Sequence, residues 1–288
     1  MTQATSNSEL SAQGSAAASL SRPSGMVVSR DGTCVAYQQL GQGEPVILVD
    51  GALCSRRLGP MPKLARVLSG RFSVWTYDRR GRGASSDTLP YAVEREIEDL
   101  AALVARAGGS AFVCGISSGA VLALAAAASG ISIRGLALYE APFIVDGSRP
   151  NTESDWQRID QAVREGRSTD AVRAFLTSVG LPRLALAVMR LLPLWSKLTA
   201  VAHTLPYDGA IVKDYQRGKA LPAEQWASVH VPALVLAGGR SPHWLQAAGR
   251  ALAHSLPNAQ FRTLAGQTHD VSATALGAEV ARFFGPHG

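Results

Sequence analysis

Ser117 lies in the pattern Gly115-Ile116-Ser117-Ser118-Gly119, which could carry nucleophilic chemistry. A serine hydroxyl can attack a carbonyl carbon when a neighbouring base takes its proton. An apolar run, residues 111–114, precedes the pattern, and an Ala/Leu-rich segment, residues 120–128, follows it. These runs read as a buried strand and a closely packed helix. The sequence therefore predicts a nucleophile elbow, a tight strand-to-helix turn that projects the Ser117 hydroxyl into a cleft.

His269 is the candidate base for this serine. It stands in a glycine-containing loop near the C-terminus, after the last predicted strand. The other histidines fall in a helical segment, before a strand, around a helix or in the tail: His203, His230, His243, His254 and His287. Only His269 follows a core strand at a point where a loop can approach the elbow.

Two further motifs give the chain a family resemblance. Residues 45–53 form an apolar strand that runs into a glycine turn, and Asp78 to Ser85 matches the pattern D-x-R-G-x-G-x-S. With the elbow ahead of the histidine, the chain resembles the α/β-hydrolase family over residues 26–284. The resemblance implies a mostly parallel sheet with helices on both faces and an inserted helical cap. It also implies an oxyanion hole made by the backbone N–H groups of Ala52 and Ser118.

The third member of a catalytic triad is not at the family's usual position. Most members carry the acid after the strand predicted at residues 233–237, but no Asp or Glu lies between Glu224 and Asp270. Some members place it one strand earlier, where Glu140 ends the apolar strand 136–139. A glutamate there would be costly unless paired, and ligand-facing residues gather at such strand ends. Glu140 is the predicted acid, with Asp146 or a Ser–His dyad as alternatives; Asp270 is expected to be structural or solvated.

The predicted elements alternate as an α/β sheet requires. An Asp-Gly hairpin joins residues 26–29 and 33–39, and strands and helices then alternate to residue 139. Five helical patterns follow without a strand, at residues 154–167, 169–179, 181–192, 194–202 and 210–218. We therefore expect a core of residues 26–141 and 228–288, a helical cap of residues 142–227, and a disordered tail of residues 1–25. A stripe from Leu181 to Leu198 is expected to pack the cap on the core.

Composition limits the other function classes. The 288 residues are 47% hydrophobic, carry a net charge of +6, and include three cysteines. Arginines are scattered without aromatic interleaving, so a nucleic-acid partner is not expected. An odd cysteine count gives no disulfide framework, and Cys54 is interpreted as apolar filler rather than a cleft thiol. No zinc-ligand spacing, signal peptide or membrane-spanning run is present, so we expect a cytoplasmic protein without metal, cofactor or membrane partner.

The function favoured by these patterns is a serine hydrolase for an ester, thioester or lactone of a small, apolar substrate. Phe143, Trp156 and Leu53 are its candidate substrate contacts. Two alternatives stay open because a fold does not fix a function. One is a non-hydrolytic enzyme on the same fold, namely a cyclase, a carbon–carbon lyase or a perhydrolase; the other is a non-catalytic ligand-binding protein.

Overall fold

A computed structural model describes residues 24–149, 152–222 and 224–285. Its strands are β1 (Ser24–Val28), β2 (Cys34–Leu40), β3 (Pro45–Val49), β4 (Ser73–Tyr77), β5 (Ala111–Ile116), β6 (Ile133–Tyr139), β7 (Ala233–Gly238) and β8 (Ala259–Leu264). They form one eight-stranded sheet in the order β1-β2-β4-β3-β5-β6-β7-β8. The pairs β1/β2 and β2/β4 are antiparallel, and the other pairs are parallel.

Helices cover both faces of this sheet. The core helices are α1 (Met61–Leu68), α2 (Val93–Arg106), α3 (Ser118–Ala128), α9 (His243–Ser255) and α10 (Ala273–Phe284). One buried cluster joins α1 and α10 to the sheet, and another joins α2, α3 and α9 to its opposite face. Val113 and Cys114 of β5 enter different clusters because neighbouring residues of a strand point to opposite faces. The predicted fold class is confirmed.

The segment between β6 and β7 is helical, as the sequence predicts. It contains α4 (Glu153–Arg164), α5 (Ser168–Ser178), α6 (Arg183–Met189), α7 (Leu194–Ala200) and α8 (Leu205–Val212), with short 3₁₀ turns on either side of α8. The last helix was predicted at residues 210–218; it begins earlier, and Pro206 stands in its first turn, where proline is tolerated. The division into core and cap as separate units stays a prediction.

The apolar stripe on this segment does not pack as predicted. Trp195 and Leu198 are buried, but Leu184 and Leu191 are 78% and 86% exposed. The stripe was predicted to cross two helical segments that Pro193 kinks or divides, and the structure has the separate helices α6 and α7 there, so the two need not bury one common face. Leu186, outside the predicted stripe, supplies the buried contact of α6.

The predicted disordered tail falls mainly on residues 1–23, which lie outside the described residues. Its last two residues were assigned wrongly, because Ser24 and Gly25 pair with Gln38 and Tyr37 as the start of β1. Within the described residues, no helix is both long and apolar enough to cross a membrane.

Candidate active site

Ser117 occupies a strained turn between β5 and α3. Its backbone has φ 57° and ψ −128°, outside the usual regions for a residue with a side chain. Its N–H donates to the Tyr139 carbonyl at 2.9 Å, and α3 begins at the next residue. The turn exposes the side chain at the end of the strand, in the geometry expected of an elbow.

The two glycines around Ser117 are required by close backbone packing. A Cβ on Gly115 would lie 2.4 Å from the Gly119 carbonyl oxygen, and one on Gly119 would lie 2.3 Å from the Val49 oxygen. Both neighbours are backbone atoms, so a side-chain rotation cannot relieve either clash. The elbow therefore depends on glycine at both positions.

Three residues other than glycine have positive φ within the described residues, and all three are at this site. They are Leu53 with φ 60°, Ser117 with φ 57° and Glu140 with φ 47°. They follow β3, β5 and β6, which are neighbours in the sheet. Strained backbone of this kind clusters at functional sites, and the carboxyl ends of parallel strands are where open α/β sheets bind ligands.

Glu140 holds the imidazole of His269. Glu140 Oε2 lies 2.7 Å from His269 Nδ1, and Oε1 accepts the Gly238 N–H at 2.7 Å. The carboxylate side chain is fully buried. An ionised carboxylate can only accept a hydrogen bond, so the pairing favours the tautomer with the proton on Nδ1, which leaves Nε2 free as a base.

The other candidate acids lie elsewhere. Asp146 is exposed and accepts hydrogen bonds from the N–H and hydroxyl of Ser148. Asp270 is also exposed, as expected of a solvated neighbour of His269. The structure thus brings Glu140, and neither of these aspartates, to the His269 ring.

Ser117 and His269 are not joined by a hydrogen bond in the described part of the chain. The His269 side chain is 49% exposed, so the loop that carries it leaves one side of the ring open to solvent. Catalytic hydrogen bonds are often long or misaligned before substrate binds.

The predicted oxyanion loop is fixed through its carbonyl oxygens. Arg82 Nη1 donates to the Gly51 oxygen at 2.8 Å, and Arg79 Nη1 donates to the Asp50 oxygen at 3.3 Å. In a trans peptide, C=O and N–H point in opposite directions. Arg82 therefore fixes the direction of the Ala52 N–H, because Gly51 O and Ala52 N belong to one peptide group.

These two arginines meet a buried carboxylate from α8. Asp208 Oδ1 accepts from Arg79 and from the Ser118 hydroxyl, both at 2.7 Å, and Oδ2 accepts from Arg82 at 2.6 Å. Arg79 also makes two hydrogen bonds to the buried Glu96. Burial alone would raise the pKa of Asp208, but Arg82, Arg79 and Ser118 outweigh it and hold the pKa below its usual value.

Burial raises the pKa of two groups beside the predicted oxyanion loop. Burial raises the pKa of the Asp50 carboxyl well above its usual range, against the opposing charges of Arg82 and Arg79. Burial also raises the pKa of the Cys54 thiol, and the neighbouring Asp50 adds to this shift. A thiol that keeps its proton is a poor nucleophile, which agrees with the interpretation of Cys54 as filler.

Ser117 opens into a cavity of about 50 Å³ between the sheet and the inserted helices. Since a water molecule needs at least about 10–15 Å³, this space has room for only a few of them. Its wall is formed by Ala52, Ser117, Ser118, Pro142, Arg149, Thr152, Trp156, Phe175, Ser178, Val179, Asp208, Val212, Gln216 and Trp244. Helices α4, α5 and α8 contribute, so part of the inserted segment lies over the elbow.

Of the three predicted substrate contacts, one lines this cavity and two do not. Trp156 lines the cavity, and its indole N–H donates to Gln216 Oε1 at 2.8 Å. Phe143 is fully buried against Tyr215, and Leu53 is 3% exposed; neither lines the cavity. Each follows a core strand and packs in the interior, so a direct contact of either side chain with substrate stays a prediction.

Several wall residues were not foreseen from the sequence: Arg149, Gln216, Asp208 and Trp244. None belongs to a motif, and each reaches the cavity through tertiary packing. Within residues 24–149, 152–222 and 224–285, no group of three or more His, Cys, Asp or Glu side chains is arranged to hold a metal ion.

A family model for the alpha/beta hydrolase family matches residues 51–283. The chain belongs to the alpha/beta hydrolase family. Its sequence is 48% identical to an alpha/beta hydrolase of known structure from Sphaerobacter thermophilus, with a TM-score of 0.83 over 90% of this chain and 100% of that one. No curated protein shows significant sequence similarity to this chain.

More distant members of the family share the fold. An esterase from Thermogutta terrifontis is 22% identical, with a TM-score of 0.62 over 90% of this chain and 94% of that one. An enol-lactonase from Burkholderia xenovorans is 23% identical, with a TM-score of 0.66 over 91% and 99%. At this identity the likeness concerns the fold alone.

Proposed function

We propose that this family member is a serine hydrolase that cleaves an ester, thioester or lactone of a small molecule through an acyl-enzyme on Ser117. The esterase and enol-lactonase among its structural neighbours act on bonds of this class, which agrees with the proposal. The observation that carries it is the Glu140–His269 hydrogen bond of 2.7 Å, formed at strand ends beside the Ser117 elbow.

The first half of the reaction forms the acyl-enzyme. His269 Nε2 takes the proton of the Ser117 hydroxyl as Oγ attacks the carbonyl carbon. The N–H groups of Ala52 and Ser118 donate to the oxygen that becomes negative. The tetrahedral intermediate then collapses, and the leaving alcohol or thiol takes the proton from His269; a lactone opens at the same step.

The second half releases the acid. A water molecule gives one proton to His269 Nε2 and attacks the acyl carbon, and the second intermediate expels Ser117 Oγ, which takes the proton back. Glu140 holds the tautomer of His269 and stabilises the imidazolium. Arg82 and Arg79 act indirectly, by holding the oxyanion loop.

The test is covalent labelling by a fluorophosphonate. Intact-mass analysis should give one adduct, and peptide mapping should place it on Ser117. Ser117→Ala should remove the label, while Ser118→Ala should retain it, because the Ser118 hydroxyl donates to Asp208 instead of facing substrate. Labelling of Ser118, or an unlabelled folded wild-type protein, would contradict the proposal.

A further inference from the structure

Two charged side chains line the cavity that contains Ser117, and only one of them has a charged partner. Asp208 is neutralised by Arg79 and Arg82. Arg149 forms no ion pair with any carboxylate in residues 24–149, 152–222 and 224–285. The cavity wall therefore carries one cation whose charge the described protein does not compensate locally.

Arg149 is held in place without being neutralised. Its guanidinium lies over the Trp244 ring, 4.2 Å from the centroid, and its Nη2 donates to the Ser178 carbonyl. A guanidinium has five N–H donors in a planar fork, so this contact leaves donors for another group. The Trp244 ring and the Ser178 carbonyl together restrict the position of the guanidinium, and its planar fork suits bidentate recognition of a carboxylate.

The surroundings of Arg149 disfavour an isolated charge. Burial lowers the pKa of the Arg149 guanidinium, and the field of Asp155 opposes this shift only in part. Asp155 is itself engaged by Arg158 at 2.6 Å. An anion that entered the cavity would restore the interactions that Arg149 loses by leaving water.

The neighbouring polar groups of the wall bond with each other. Gln216 Oε1 accepts from the Thr152 hydroxyl at 2.7 Å and from the Trp156 indole at 2.8 Å, and Gln216 Nε2 donates to the Pro142 carbonyl at 2.8 Å. Arg149 is thus the wall group best placed to bind a charged part of a substrate.

We infer that Arg149 binds a carboxylate carried by the substrate, so that the preferred substrates are compact esters or lactones of acids bearing a second, anionic carboxyl group. The inference rests on the proposed function, because it assumes that Ser117 attacks a bond in the same cavity. It replaces the expectation of a wholly apolar substrate: the apolar wall contacts the carbon chain, and the Arg149 fork receives the two carboxylate oxygens.

A pair of substrates that differ in charge but hardly in shape tests this inference. Monomethyl succinate carries a carboxylate, and methyl succinamate carries a neutral amide of similar size; a pH-stat follows hydrolysis of both. We expect wild-type kcat/KM to favour the succinate ester by about tenfold or more, because charge-assisted bidentate hydrogen bonds are the stronger ones. The preference should appear mainly in KM, since the contact exists before and during the reaction.

Three variants separate the charge of Arg149 from its packing. Arg149→Gln should lower kcat/KM for monomethyl succinate by about 10- to 100-fold and change that for methyl succinamate by less than about threefold. Arg149→Lys should retain part of the preference. Arg250→Gln is the matched control, because Arg250 also lies over an aromatic ring, that of Phe261, but outside this cavity.

The outcomes distinguish this inference from the proposed function. Equal hydrolysis of both esters by wild-type enzyme, or an equal loss on both in Arg149→Gln, overturns the role of Arg149 and leaves Ser117 chemistry intact. If neither ester is cleaved but fluorophosphonate labels Ser117, the deciding measurement is how much added succinate slows this labelling. Greater slowing in the wild-type protein than in Arg149→Gln supports the inference, and equal slowing in both overturns it. Absence of both turnover and labelling refutes the proposed function itself.

Discussion

Glu140 bonds to His269 through one carboxylate oxygen and to the Gly238 N–H through the other. This arrangement gives Glu140→Gln a specific consequence. The amide oxygen would keep the Gly238 hydrogen bond, and the amide NH₂ would then donate to His269 Nδ1. His269 would be driven to the tautomer protonated at Nε2, which cannot accept the serine proton.

We therefore predict that Glu140→Gln loses about 10⁴-fold in kcat, the loss typical of a triad acid that fixes the tautomer. Circular dichroism and the melting temperature should stay close to wild-type, because the side chain keeps its shape. Adding Ser241→Asp should restore part of the activity. Ser241 is buried in the loop after β7, where most family members carry the acid, and its hydroxyl has no partner among the described residues. Full activity in Glu140→Gln would show that His269 does not need this carboxylate.

Among the individual side chains of the candidate site, the sequence predicted those that a motif or a strand end marks and missed the others. Glu140 was predicted because the usual acid position has no carboxylate and Glu140 stands at the alternative strand end. Arg149 and Asp208 were missed because their partners come from distant parts of the chain; Ser118 and Asp208 are 90 positions apart. Charge pairing over such distances leaves no local pattern.

The strand, turn and helix of the elbow require small residues on both sides of Ser117. All three were predicted from two apolar runs and two glycines. The structure explains the glycines, because an added Cβ would lie 2.3 or 2.4 Å from a backbone oxygen. The inserted helices were predicted less well. Their number, their order and the break at Pro193 were predicted, but not which face of each helix is buried, because that depends on how the separate helices are oriented.

We predict that Gly119→Ala destabilises the fold by about 1–3 kcal/mol, as overpacking in a tight interior does. The added methyl would press on the Val49 and Asp50 carbonyl oxygens, both at the end of β3. Gly70→Ala is the control, because no atom lies within 4 Å of its added Cβ. Urea unfolding of both variants measures the difference. Equal stability of the two would mean that the elbow can shift to accommodate a side chain.

For the whole molecule, Asp208 joins the inserted helices to the core. It lies in α8, and its carboxylate binds Arg79 and Arg82 of the turn after β4 and Ser118 at the start of α3. Arg82 in turn holds the Gly51 carbonyl of the oxyanion loop. One buried carboxylate therefore ties the position of α8 to the geometry of the proposed reaction site.

We predict that Asp208→Asn lowers the free energy of unfolding by about 3–5 kcal/mol near neutral pH, the cost of leaving buried charges without a partner. The pH dependence follows from the sign of the shift. Arg82 and Arg79 hold the folded-state pKa of Asp208 below its usual value, so its contribution is complete above the unfolded-state pKa of about 3.9 and is lost as the pH falls through the folded-state pKa.

The difference in the free energy of unfolding between wild-type and Asp208→Asn should accordingly stay constant from about pH 6 to 8 and shrink below about pH 4. Urea unfolding across this range measures it. Asp170→Asn is the matched control, because Asp170 also bonds two arginines, Arg167 and Arg173, but on an exposed surface where such pairs contribute little. Two outcomes would show that α8 is held to the core by its apolar contacts instead. One is that Asp208→Asn is as stable as Asp170→Asn, and the other is that the stability difference between wild-type and Asp208→Asn stays unchanged down to pH 3. In that case the arginines could fix the oxyanion loop without any contribution from the inserted helices.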